Sequence, residues 1–195
     1  ALVDSVVNYT GNVTDLNGLL SANITYNLIG VITYANYTLS GTTAQVSNAT
    51  ALACTETCVI NFTLYVTDVS NNVKQNSTLL VVADVTKPVV NTTFNVTSAL
   101  VDSVVNYTGN VTDLEGLKSA NITYNMSGII TYANYTLTGK SAQVSNATRI
   151  TDCIESCVIN FTLYVTDINN NVKQNSTLLV VADVTKPVVN TTFNV

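Results

Sequence analysis

Histidine and tryptophan are absent from this 195-residue chain, proline occurs only twice, and charged residues make up 10% against the roughly 25% of an ordinary soluble domain. Each shortage excludes something. Without histidine, the usual imidazole base and the commonest zinc ligand are gone. With 7 Lys and Arg against 12 Asp and Glu, and no basic cluster, the chain lacks the row of cations that grips a phosphate backbone. Nucleic acid is therefore excluded as a partner. The longest apolar runs, such as Leu79 to Ala83, fall far short of the ~18 residues of a membrane helix. There is no G-x-S-x-G elbow and no Gly-rich phosphate loop, and the acids sit in turns rather than as a pair across a cleft. The chain reads as non-enzymatic, with no cofactor. No signal-type segment opens it, so it reads as a mature product or a window from a longer one.

What is present is a repeat. Ala1 to Thr50 matches Ala99 to Thr148, and Cys54 to Val96 matches Cys153 to Val195 after one inserted residue near Arg149. Three of the differences, Asn17 to Glu115, Leu20 to Lys118 and Ile29 to Ser127, move toward polar, as expected at solvent-facing or interface positions. Hydrophobic residues make up 47%, enough for a core in each copy.

Within each copy the apolar residues alternate with period two and helical periodicity is absent. Strands are predicted over Val6 to Val13, Ala22 to Tyr26, Ile32 to Leu39, Ala44 to Thr50, Cys58 to Thr67 and Val73 to Val82. Turn residues at Asp15 to Gly18, Ser40-Gly41 and Asp68 to Asn72 separate them. A further extended segment runs from Pro88 to Val96, proline being suited to the first residue of an edge strand. About seven short strands per copy define an all-β fold of two tandem sandwiches.

Val66 to Asn72 is similar to a V-x-D-x-x-G-N hairpin, Val82 to Pro88 to a V-x-V-D-x-T-x-P linker, and Val13 to Leu19 to a D-x-x-G-[LIV] turn. Together these three motifs resemble those of bacterial-type immunoglobulin-like repeats of cell-surface proteins. The second copy repeats them at Thr166-Asp167, Asp183 to Pro187 and Asp113 to Leu117, so the resemblance covers the chain. Asn71 stands where the family has Gly, and Asn tolerates a positive φ. No cysteine pair spans the sheets. The resemblance implies spacer modules of large surface proteins, and it sets a phase, because the family begins a domain at the linker. Residues 84–182 then form a complete domain, residues 1–83 one lacking its first strand, and residues 183–195 a first strand donated to the next copy. Two routes lead to this phase: the copies are one long polypeptide of which these residues are a repeating window, or they are separate subunits joined by donated strands, which resembles the threads and pili of some archaea.

The strongest chemical signal is Asn-x-Ser/Thr. Acceptors stand at Asn8, Asn12, Asn23, Asn36, Asn48, Asn61, Asn76, Asn91 and Asn95, and at Asn106, Asn110, Asn121, Asn125, Asn134, Asn146, Asn160, Asn175 and Asn190. With 26 Asn and 45 Ser plus Thr among 195 residues, chance placement gives about 6 against the 18 found. Since residues i and i+2 share a strand face, an inward middle residue turns both Asn and Thr outward. The middle residues Tyr9, Val13, Ile24, Tyr37 and Phe62 all suit a core. Asn is depleted in strands, so β propensity accounts for the Thr and not for the Asn. Dense N-linked glycans on the outer faces would also solubilise a surface so poor in charge.

Cys54 and Cys58, and Cys153 and Cys157, are either local disulfides or a zinc site. Lack of histidine and the distance between copies favour disulfides, hence an oxidising, extracellular compartment. Two residues four apart in an extended strand stand about 13 Å apart, so each pair requires a tight loop before the following strand. For calcium, Asp68, Asp84, Asp167 and Asp183 offer too few oxygens for a six- to eight-coordinate ion, and no metal is expected. The composite expectation is a repeat unit of an extracellular, densely N-glycosylated filament or stalk whose partners are copies of itself. The alternatives are spacer domains of a surface adhesin or a surface-layer component.

Overall fold

The computed structural model describes residues 1–151 and 153–192. The chain divides into two compact units, Ala1–Val85 and Thr86–Val195. Both are all-β, immunoglobulin-like sandwiches, as the alternation requires.

In the first unit the strands are β1 (Val6–Thr14), β2 (Leu19–Leu28), β3 (Val31–Thr38), β4 (Thr43–Ala51), β5 (Val59–Asp68) and β6 (Val73–Val81). One sheet has the order β3-β2-β5-β6 and the other only β1-β4, all antiparallel. Ile24, Leu52, Ile60, Phe62 and Val82 fill the space between them. Gly11 suits that packing: a Cβ there would lie 2.3 Å from Leu64 Cδ2, and the Leu64 side chain would have to move.

The second unit repeats this plan with one strand more. Its elements are β7 (Val89–Phe94), β8 (Val104–Thr112), β9 (Leu117–Met126), β10 (Ile129–Thr136), β11 (Ser141–Arg149), β12 (Val158–Asp167) and β13 (Val172–Val180). The sheets run β10-β9-β12-β13 and β11-β8-β7. β7 follows Pro88 and lies at the edge of its sheet, where proline removes no ladder hydrogen bond. It pairs antiparallel with β8, Val90 opposite Val111 and Thr92 opposite Gly109. Phe94 completes an aromatic cluster with Tyr107 and Phe161, ring centroids 5.0 and 5.1 Å away.

The predicted strands all form, most of them one to three residues longer at an end. The turns use the residues expected of them. Asn71 and its copy Asn170 take φ of 65° and 70°, and Asp68 accepts from the backbone N–H of Ser70 and Asn72 and from the Asn72 side chain. Those bonds, the Asn72 side chain foremost and then its backbone N–H, hold the Asp68 carboxyl below the usual carboxylate range. Among the described residues no helix is long and apolar enough to cross a membrane.

Candidate functional site: an open strand groove

β1 and β8 have identical sequences, as do β6 and β13. Only the second unit has a strand lying between them. There β7 closes the sandwich: Val90 is 7% exposed, Tyr107 and Val111 are fully buried, and Val165 and Leu179 are buried with them. Burial pushes the Tyr107 phenol above its ordinary pKa, opposed by hydrogen bonds with Thr92 and Thr177. In the first unit the equivalent edge of β1 is unpaired, and Tyr9, Val66 and Leu80 are only partly buried. A groove of about 670 Å³ opens there, lined among others by Tyr9, Val13, Leu64, Val66, Asn76 and Thr78. An unpaired edge over a partly covered core invites another strand.

Residues 186–195 repeat residues 87–96 without a change. The described part of that segment forms no strand, and Val188 and Val189 are 86% and 80% exposed. Its approach is tethered: Glu155 accepts from Val184 N at 3.1 Å and from the Thr185 hydroxyl. Those bonds, the Thr185 hydroxyl first, lower the Glu155 pKa. The last positions of the expected donated strand, Phe193 to Val195, lie outside the described residues.

The acceptor asparagines divide into two groups. Where the middle residue is apolar the rule of alternation holds: Tyr9, Val13, Ile24, Tyr37 and Phe62 turn to the core. Asn8, Asn12, Asn36 and Asn61 are exposed, and so are Asn91, Asn95, Asn110, Asn125, Asn134, Asn160 and Asn190. Asn23, Asn106 and Asn121 are half-buried on the same outer faces, Asn23 bonding to Asn36 and Asn121 to Asn134. Asn48, Asn146 and Asn175 differ. Asn48 and Asn146 share a strand face with buried Val46 and Val144, and Asn175 shares one with buried Leu179. Asn76 stands at the position equivalent to Asn175 and lines the groove. The middle residues here are Ala49, Ala147, Ser77 and Ser176, which have no need of the core. The expectation that acceptors face outward is corrected at these four, Asn48, Asn146 and Asn175 being half-buried and Asn76 exposed on the face that borders the open groove.

The cysteines are joined locally, Cys54 to Cys58 and Cys153 to Cys157, with Cα atoms 6.4 and 6.0 Å apart. The required tight loop is a turn with Thr57 and Ser156 at φ of 63° and 67°. Peptide mapping without reduction should find each pair closed on itself. Reducing one should cost about 2 kcal/mol, because so short a loop removes little unfolded-state entropy. Free thiols, or a link between the copies, would contradict this.

In the second unit the carboxylates of Asp113 and Asp167 lie within 4.8 Å of each other, both buried. By sequence Asp113 belongs to a turn motif and Asp167 is one of the four acids weighed for calcium. Asp113 accepts from Glu115 and Gly116 N–H, and Asp167 from Asn169 and Asn171. Backbone N–H groups thus occupy part of the lone-pair capacity an ion would need. A chelator should leave the melting temperature unchanged; a fall of several degrees would reveal calcium there.

No family model matches the sequence, and no curated protein is similar to it. Among solved structures, a piece of a 1.5-MDa bacterial ice-binding adhesin is similar over 92% of this chain and 58% of its own length, at 14% identity and a TM-score of 0.45. Red sea bream transglutaminase is similar over 93% of this chain and 30% of its own, at 10% identity and TM-score 0.37. The FN1–FN3 domains of chicken CNTN1 match over 93% and 64%, at 7% identity and TM-score 0.30. The chain thus spans 58% of the adhesin piece.

Proposed function

We propose that this chain is a non-enzymatic structural repeat unit of an extracellular, N-glycosylated filament or stalk, joined head to tail by strand exchange. The observation that carries the reading is the open groove of the first unit. Its walls are identical in sequence to those that hold β7 in the second, and a segment identical in sequence to 87–96 stands at 186–195, exposed over its described residues 186–192. The occupant is that segment from a second copy, and residues 1–83, 84–182 and 183–195 act as acceptor, complete domain and donor. Main-chain pairing along β1 supplies affinity, and alternate side chains entering the groove supply register. Local disulfides and scarce charge fit an oxidising exterior and a sugar-coated surface.

A second reading makes the sandwiches spacers within a surface adhesin, as the name of one similar structure suggests. Sedimentation of the purified chain separates the two: end-to-end polymers support strand exchange, and a strictly monomeric chain supports the spacer.

A further inference from the structure

The four inward acceptors pose a chemical conflict, sharpest at Asn175. An N-linked sugar is attached to the side-chain amide nitrogen, taking one of its two hydrogens and adding bulk at that atom. In the closed second unit this nitrogen is already in use. Asn175 Nδ2 lies 3.3 Å from the carbonyl oxygen of Val90 and 3.1 Å from Thr92 Oγ1. Thr177, the hydroxyl residue of the same acceptor triplet, bonds Thr92 at 2.8 Å. The amide and the hydroxyl that define the acceptor are together the contacts that seat β7 across the sandwich. A sugar on Nδ2 would occupy the space that β7 fills.

The first unit has the same pair on the same strand. Asn76 and Thr78 line the groove, and Asn76 Oδ1 accepts from Ser77 N at 3.0 Å, an interaction that leaves Nδ2 free to donate. By the equivalence of the strands, Val90 corresponds to Val189 and Thr92 to Thr191. We propose that Asn76 is the docking residue of the groove, a sugar-free amide that donates to the Val189 carbonyl and the Thr191 hydroxyl of a second copy, with Thr78 bonding Thr191 beside it. The inference rests on the strand-exchange reading and deepens it. Its consequence is regulatory: a sugar attached to Asn76 before assembly closes the groove and ends the filament at that unit, whereas a sugar at Asn61 does not.

The test has two arms. Glycopeptide mapping of the associated material should find Asn175 bare and Asn76 bare in all but the chain-ending units; a sugar on Asn175, or on Asn76 in most associated chains, overturns the proposal. In the second arm the intact chain is compared with its Asn76→Asp and Asn61→Asp variants by the concentration dependence of sedimentation. The carboxylate of Asn76→Asp cannot donate and repels the carbonyl oxygen it faces, so association should weaken roughly tenfold or more at neutral pH. It should recover as the pH falls through about 4 and the acid regains a donor hydrogen. A merely structural defect would show no such recovery. Asn61→Asp, exposed on β5 away from the pairing edge, should associate like the parent. Equal association of Asn76→Asp and parent would sink this inference and leave strand exchange standing. Failure of the parent itself to associate would remove both.

Discussion

Shortening the chain after Ala182 is expected to abolish end-to-end association while leaving both sandwiches folded. The segment removed is the one that β7 represents in the second unit. There the strand buries Val90, sets Phe94 against Tyr107 and Phe161, and pairs six residues with β8. Burying two such side chains is worth ~1.5–3 kcal/mol each, reduced by the entropy of ordering the strand. A peptide with the sequence of residues 186–195, added in excess to the shortened chain, should therefore raise the stability of the first unit by about 2–4 kcal/mol. The second unit, which already holds β7, should not respond. Phe94→Ala should reproduce the open state in the second unit, costing ~3 kcal/mol. Urea melts followed separately in each unit would check all three. A shortened chain that still polymerises, or a peptide without effect, refutes the assignment of donor and acceptor.

The next largest effect concerns mass. Sugars are expected on most of the fourteen acceptors that face outward, so the intact protein should weigh well above the 20.8 kDa of the bare chain. Chemical deglycosylation should return it to that value and lower solubility sharply. With 10% charged residues and large apolar side chains such as Leu79, Val81, Leu178 and Val180 more than a third exposed, the uncovered surface has little else to hold it in water. A native mass within a sugar or two of the bare chain would leave the low charge unexplained.

How much of this was legible in the sequence depended on which signal each residue carried. Alternation located every strand of the first unit, because an apolar residue at every second position has one physical outcome when a sandwich must be filled. The ends were less sharp. β2 begins at Leu19 rather than Ala22, since a bulge between Leu19 and Ser21 breaks the alternation there. The acceptor triplets around Tyr9, Ile24 and Phe62 could be oriented because their middle residues are large and apolar. Those around Ala49 and Ser77 could not. A small or hydroxylic middle residue is content on either face, so only strand register fixes which way Asn48 and Asn76 point. At Asn48 a signal was nonetheless present, because Val46, two before it, is the one large apolar residue of β4 and shares its face. At Asn76 there was none: Leu80 shares its face, but Val73, Leu79 and Val81 lie on the other.

The proximity of Asp113 and Asp167 was illegible for a different reason. Each belongs to its own turn motif, and the two motifs sit far apart in sequence. They meet because β9 and β12 are neighbours, with Leu117 opposite Asp167 at the irregular end of their ladder. Nothing local encodes that pairing. The cysteine loop was the opposite case: the short spacing and the length of an extended residue left only a tight turn.

The central claim, that the first unit is completed by a strand from another copy, is tested most directly by a density map of the assembled filament. The account predicts a three-stranded sheet in the first unit, with residues 188–193 of a neighbouring copy antiparallel to β1. The register should place Val189 opposite Val13 and Thr191 opposite Gly11, as Val90 stands opposite Val111 and Thr92 opposite Gly109. A map in which β1 keeps a bare edge and residues 186–195 lie elsewhere would contradict it.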